Sequence, residues 1–316
     1  MPAPNDLADL QTKLIAQKGD FETAWADLCS LLDTWPTSMG LPAALDIVEA
    51  SIRHWPEFLR EAPWQWKEAI LTQPNPRLRL ARTLNLTYEE LGNAGAATLA
   101  ALPLLANLDT LDLANTGIGA AGLGALAQSP YLTRITGLTL DYNPIGPEGV
   151  QALAHSPTWA GLTHLRLDES GLGDAGAMAL AASPCLRRLR LLDLANNSIT
   201  AVGMAALAQS PVLKALNTLI ASSNPIGDAG AQALAASPHL TQVGGLYLIT
   251  ADLSDSGAQA LAASPYLTLV TELDVQDNAI GKVGKAALRA VGYRYSAEEQ
   301  VWHRKLRRAR AQPAEV

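Results

Sequence analysis

An α/β solenoid of eight strand–turn–helix units, with the strands joined in a parallel sheet on a concave face, is the fold class the sequence predicts. Prolines recur at Pro103, Pro130, Pro157, Pro184, Pro211, Pro238 and Pro265, and glycines at Gly95, Gly122, Gly149, Gly176, Gly203, Gly230, Gly257 and Gly284, every step being 27 residues without an insertion. A period of that size means one supersecondary unit stacked on copies of itself, with a core that is continuous only because the neighbours are present. Inside each unit the hydrophobic period changes from two to that of a helix, so the halves differ in structure.

The first half alternates, as in Leu111/Leu113, Leu138/Leu140, Leu165/Leu167, Leu192/Leu194, Leu246/Leu248 and Leu273/Val275, and reads as a short strand with one buried face. A turn column follows: Thr116, Asn143, Ser170, Asn197, Asn224, Ala251 and Asn278. Its short polar side chains can satisfy backbone groups where the chain bends inward, which Ala251 cannot do. Ile118, Ile145, Leu172, Ile199, Ile226, Leu253 and Ile280 then form a third wall of the core. In the second half Gly149, Val150, Leu153 and Ala154 fit one face of a short helix, which Ser156-Pro157 ends because the residue before proline leaves the helical region.

The resulting pattern, Leu-x-x-Leu-x-Leu-x-x-Asn-x-Ile, resembles the leucine-rich repeat family over residues 78 to 291. The helical Gly-Ala-x-Ala-Leu-Ala, as in Gly176 to Ala181 and Gly257 to Ala262, looks most like the ribonuclease-inhibitor-like subclass and the bacterial proteins that share it. The resemblance implies a right-handed horseshoe and a binding role, and leaves the partner open because it lies in residues the motif leaves free.

Residues 1–76 break the period and read as a helical N-terminal cap, with 77–291 the solenoid and 292–316 a C-terminal capping helix and basic tail. Trp25, Trp35, Trp55, Trp64, Trp66, Phe21 and Phe58 concentrate in the first segment. There Leu7/Leu10/Leu14, Trp25/Leu28/Leu32 and Ala44/Leu45/Val48/Ile52 give three helix faces, the second opened by Asp20. Such a bundle would cover the apolar end of the first unit. At the other end Ser296 and Glu299 compose a capping box, so Ser296 to Gln312 reads as a last helix, with Arg304, Lys305, Arg307, Arg308 and Arg310 crowding its C-terminus.

Composition narrows the function. The net charge is −7, and residues 83 to 288 hold 16 acidic against 8 basic side chains, the wrong sign for a nonspecific nucleic-acid surface. Cys29 and Cys185 give neither a disulfide framework nor a zinc spacing. No apolar run nears 18 residues and the first residues lack the features of a secretion signal, so a cytoplasmic, monomeric protein is expected. Gly117-Ile-Gly119-Ala-Ala-Gly122, with Asp141 further on, matches a dinucleotide-binding fingerprint. Yet the columns of Gly119 and Gly122 recur in other units, so these glycines belong to the turn, and no cofactor is expected. The five histidines are scattered and no nucleophile–base arrangement appears, so the chain does not read as an enzyme.

The candidate surface is the outward face of the strands, where a protein or peptide partner would dock. Carboxylates dominate its middle and last units: Asp112, Asp141, Asp168, Asp193, Glu272, Asp274 and Asp277, accompanied by Tyr142 and Arg166. Between them Ile220, Tyr247 and Ile249 fall on the outward phase, an apolar spot that an acidic rim would surround. A partner with a basic surface is expected. The resemblance allows a second class, a regulator or adaptor acting on a partner enzyme in the manner of GTPase-activating or ubiquitin-ligase-adaptor members. That class would ask for an enlarged loop or an F-box-like segment, neither of which the sequence offers.

Overall fold

A computed structural model describes residues 7–16, 20–35, 40–296 and 301–304. Eight three-residue strands run parallel and pair in sequence order: β1 (Thr83–Asn85), β2 (Thr110–Asp112), β3 (Gly137–Thr139), β4 (His164–Arg166), β5 (Leu191–Asp193), β6 (Thr218–Ile220), β7 (Gly245–Tyr247) and β8 (Glu272–Asp274). Their register repeats with the sequence: Leu84 faces Leu111, Leu111 faces Leu138, and so on to Leu246 facing Leu273. The central leucine of every strand is buried while most of its neighbours remain partly open, as a sheet packed on one face requires. Among the described residues four α-helices precede the sheet: α1 (Leu7–Ala16), α2 (Phe21–Asp33), α3 (Leu41–Ile52) and the single turn α4 (Trp64–Lys67). After each strand comes one helix, namely α5 (Gly92–Ala100), α6 (Ala120–Ala127), α7 (Gly146–His155), α8 (Gly173–Ala181), α9 (Ala201–Ala208), α10 (Gly227–Ala235), α11 (Asp255–Ala262) and α12 (Lys282–Ala290). Helices of eight to ten residues are marginal alone, and each here packs against the next.

Polar groups are satisfied between units as regularly as apolar ones are packed. Asn143 Oδ1 accepts from the amides of Thr116 (3.1 Å) and Ile118 (3.0 Å) in the unit before it, and Asn143 Nδ2 donates to the carbonyls of Leu113, Leu140 and Asp141. Asn197, Asn224 and Asn278 do the same for the amides of 170/172, 197/199 and 251/253. Where the column holds Ser170 or Ala251, the preceding amides of Ile145 and Ile226 turn to the nearby carbonyls of Asn143 and Asn224, both at 2.7 Å. On the helix side Ser129, Ser156, Ser183, Ser210, Ser237 and Ser264 donate their hydroxyls to Ala100, Ala127, Ala154, Ala181, Ala208 and Ala235, carbonyls at the end of the previous helix. The proline column therefore sits beside a serine column that caps a neighbour's helix C-terminus.

A third set of bonds explains four of the eight column glycines, Gly122, Gly203, Gly257 and Gly284; at Gly95, Gly149, Gly176 and Gly230 an added Cβ would instead press on Leu91, Ile145, Leu172 and Ile226, four residues earlier. Asn93, Asp174, Asp228 and Asp255 each point an oxygen at the first turn of the next unit's helix: Asp174 Oδ1 accepts from Thr200 N (2.8 Å) and Gly203 N (3.0 Å), and its Oδ2 from the Thr200 hydroxyl (2.7 Å). A Cβ at residue 203 would lie 2.6 Å from that Oδ1, so only glycine leaves room for a helix capped by its neighbour. Asn93 does likewise for Gly119 N (2.8 Å) and Gly122 N (2.9 Å). These are the amides a pyrophosphate would use in the fingerprint reading of Gly117 to Gly122, and Asn93 already holds them.

The N-terminal helices follow the expected faces. Asp20 caps α2 through Thr23 N (3.0 Å), and Leu10, Leu14, Trp25, Leu28, Leu32, Ala44, Leu45, Val48 and Ile52 are buried in the same core as the first strands. The seam is also polar: Trp25 Nε1 donates to Glu61 O, Glu49 bonds both Arg79 and Asn107, and Lys67 Nζ reaches Asn85 O. At the other end the expected helix from Ser296 is overturned. Tyr293–Tyr295 (β9) and Trp302–Arg304 (β10) form an antiparallel pair, Ser296 N bonds Val301 O, and β10 pairs antiparallel with β8. Pairing decides the matter, because β8 would otherwise end the parallel sheet with an open edge, and Trp302 and Tyr293 are buried in covering it. Arg304, read from sequence as part of a basic run, instead donates to the carbonyls of Leu267, Thr268 and Val270 and lies 4.7 Å over the Tyr293 ring. Lys305, Arg307, Arg308 and Arg310 fall outside the described residues.

Candidate interaction surface

The outward face of the sheet is organised by alternation, with Asn85, Asp112, Thr139, Arg166, Asp193, Ile220, Tyr247 and Asp274 abreast on successive strands. Several of its carboxylates serve the backbone. Asp112, Asp193 and Asp274 each accept the amide two residues on, from Ala114 (3.0 Å), Ala195 (3.1 Å) and Gln276 (3.1 Å). Asp141 accepts from Asp168 N (2.9 Å) on the next strand. These short side chains thus complete the end of the ladder where it leaves regular strand geometry.

The expectation of Asp193 and Asp274 as a solvated rim is corrected by their burial, 4% exposed each, as is Asp141. They form the floor of the face and not its border. Arg166 accounts for two of them: its Nε lies 2.9 Å from Asp141 Oδ2 and its Nη2 3.3 Å from Asp193 Oδ2. Burial raises the Asp193 carboxyl above its ordinary value, the Ala195 amide and Arg166 acting against that. Asp168 remains half-buried and accepts from Asn196 Nδ2 (2.8 Å), while Tyr142, Glu272 and Asp277 are exposed. The charge displayed at the surface of the face comes from this second group.

Ile220, Tyr247 and Ile249 lie on adjacent strands β6 and β7 or just beyond, all three half-buried. Ile220 faces Tyr247 directly in the register, a cross-strand pair in which each shelters the other. Gly245 supplies the space for the tyrosine: a Cβ there would sit 3.0 Å from Tyr247 Cε2, so the ring lies across the glycine. Its hydroxyl donates to Glu272 Oε2 at 2.5 Å. Burial, together with that acceptor, pushes the phenol up to about 12, so it stays a donor at neutral pH. Ile220 and Tyr247 are therefore a paired apolar spot, with the tyrosine hydroxyl held by Glu272.

Other chemistry has little to build on. Cys29 is buried, which pushes its thiol up, and Cys185 is half-buried. Among the described residues no group of three or more His, Cys, Asp or Glu could hold a metal ion, and no helix is long and apolar enough to cross a membrane.

Residues 105–127, 135–154, 162–181, 185–208, 214–235 and 266–288 match the model of the leucine-rich repeat. The chain carries leucine-rich repeats. Leucine-rich repeat domains commonly act as scaffolds for protein–protein interaction. No curated protein sequence matches this one. The six matched segments pass over residues 236–265, the unit that contains Gly245, Tyr247, Ile249 and Ala251. Sequence reasoning found the apolar patch but missed how it is seated, and Gly245 in a column otherwise holding larger residues over most strands was the available signal.

Proposed function

We propose that this leucine-rich repeat protein is a non-catalytic scaffold that holds a protein or peptide partner with a basic surface against the outward face of its sheet. The observation that carries the reading is the coincidence, across β6 to β8, of an apolar cross-strand patch with an anchored tyrosine and an acidic border. Ile220, Tyr247 and Ile249 would be its centre, with Glu272 and Asp277 as the border and Asp168, Arg166 and Tyr142 continuing the surface towards the earlier units. Asp112, Asp141, Asp193 and Asp274 contribute by fixing the floor. Helices of eight to ten residues between strands support the ribonuclease-inhibitor-like subclass and a face that curves inward. A monomeric, cytoplasmic protein fits this reading, with the N-terminal helices as a cap.

The test is affinity capture from native extract by the wild-type protein and by Tyr247→Ala, followed by measured binding of whatever the wild type alone retains. Truncating an interface aromatic of this kind costs roughly 2 kcal/mol or more, and the affinity should also fall as salt rises. Identical retention by both proteins would remove the patch as the site.

A further inference from the structure

A second surface runs along the edge of the sheet where each strand turns towards its helix. One residue per unit there adopts a left-handed backbone: Tyr88 (φ 66°), Asn115 (52°), Tyr142 (59°), Glu169 (48°), Asn196 (52°), Ser223 (56°), Thr250 (50°) and Asp277 (53°). Asparagine suits that conformation, and a bulky tyrosine is a rare and costly choice for it. Tyr88 and Tyr142 are nevertheless placed there and are among the most exposed large hydrophobic side chains of the described residues, 76% and 50%. They line an open groove of about 800 Å3 with Asn115 between them and Glu169 and Asn196 beyond.

The spacing of the two rings is set by the backbone. Tyr88 N bonds Ala114 O (3.0 Å) and Asn115 N bonds Asp141 O (2.8 Å), so the inter-strand ladder continues through this column. The tyrosines are thus two ladder steps apart, roughly 9.6 Å. A polyproline II helix repeats every three residues with a rise of about 3.1 Å each, or about 9.3 Å per turn. Prolines at positions i and i+3 of such a segment would meet one ring each. The side chain of Asn115, midway, makes no hydrogen bond among the described residues and can serve the carbonyls that this helix leaves unpaired. Charge selects the flanks: Glu89 and Glu90 are exposed beside Tyr88, Glu169 is exposed past Tyr142, and Asp168 stands by the Tyr142 hydroxyl. A neutral polymer would gain nothing from these carboxylates, whereas a flanking arginine or lysine would.

We infer that the edge groove between Tyr88 and Tyr142 binds a proline-rich peptide in the polyproline II conformation, with a basic residue next to its proline core. This goes beyond the sheet-face reading: the two surfaces share Tyr142 and Asp168, but Tyr247, the centre of the first, takes no part here. The probe is a fluorescein-labelled peptide of ten prolines followed by two arginines, compared by anisotropy with a Gly-Ser peptide of equal length and charge. The wild type should bind the proline peptide roughly tenfold or more tightly than the control. Tyr88→Asn and Tyr142→Asn should each abolish that preference. Because these two substitutions install the residue found at 115 and 196, they should not lower the melting temperature, so lost binding cannot be ascribed to lost folding. Glu169→Gln should weaken binding of the proline peptide less at high salt than at low salt, and Tyr247→Ala should leave it unchanged. Equal affinity for the two peptides, absence of binding at millimolar peptide, or undiminished binding by both tyrosine variants would each overturn the assignment.

Discussion

Replacing Gly203 by alanine should destabilise the protein although alanine is the better helix former. The added methyl would meet Asp174 Oδ1 at 2.6 Å, Ile199 Cγ2 at 2.9 Å and the Ala177 Cβ at 3.0 Å. Asp174 cannot withdraw freely, being held by the Thr200 amide, the Thr200 hydroxyl and the Gly203 amide. If it yields, α9 loses a cap worth about 0.5–2 kcal/mol. If it stays, α9 must move away from α8, and overpacking of this kind costs about 1–3 kcal/mol. Helix propensity returns about 1 kcal/mol, leaving a net loss of up to about 1 kcal/mol if the cap is lost and up to about 2 kcal/mol if the helix is displaced. Gly124, in α6, is the control because no atom lies within 4 Å of the added methyl; Gly124→Ala should gain about 0.5–1 kcal/mol. Urea unfolding followed by far-ultraviolet circular dichroism measures both. Asp174→Ala should cost less in the Gly203→Ala background than alone, since the clash is then already relieved. If Gly203→Ala gains stability as Gly124→Ala does, or if the two substitutions at 174 and 203 are additive, the neighbour's carboxylate is not what requires the glycine.

Ala251→Asn should stabilise by about 1 kcal/mol by offering an acceptor to the amides of Asn224 and Ile226; a lower urea midpoint would show that the buried site cannot admit the larger side chain. The carboxyls of Asp174 and Asp228 are desolvated, but hydrogen bonds from Thr200 and Gly203, and from Ser254 and Gly257, outweigh this and lower both. Their contribution is present above the unfolded carboxylate value near about pH 4 and is lost as pH falls through the lower folded values. Asp174→Asn with Asp228→Asn keeps an acceptor, as Asn93 does, and should flatten the acid limb of the stability profile; an unchanged acid limb would place that dependence elsewhere. A chain beginning at Asn75 should melt lower or aggregate, because the helices before it share a core with Leu84 and Leu86; an unchanged, monomeric melting transition would make them an independent unit.

The solenoid was legible because its signals repeat. An alternation such as Leu138/Leu140 is weak once and decisive when it returns at the same interval along the chain, and the asparagine column could be assigned to backbone service before its bonds were visible. What repeats only as a type of contact was harder to see. The glycine column looked like a turn requirement, whereas Gly122 and Gly203 answer to Asn93 and Asp174, each a unit earlier, a relation that no local window holds. The C-terminal segment misled because Ser296 and Glu299 form a local helix signature, while the deciding partner, the edge of β8, lies more than twenty residues away. On the outward face of the sheet parity placed Ile220 and Tyr247 side by side but could not distinguish a solvated carboxylate from one turned down onto a backbone amide. Asp193 and Asp274 lay on the right face with the wrong exposure.

The polar bonds that join units also limit how this gene product can change length. Thr116 N finds Asn143 Oδ1 27 residues on, Ser156 reaches back 29 to Ala127, and Asp174 reaches forward 26 and 29 to Thr200 and Gly203. Inserting or removing a single residue within the stack would misalign all three sets at once, along with the apolar register. Excising or duplicating one whole unit would keep every column in register and change the polar partners only where a unit lacking the asparagine or the acid, such as that of Ala251, comes to adjoin a new neighbour. Length can therefore grow or shrink in whole modules but hardly by single residues, and the extent of the sheet with it.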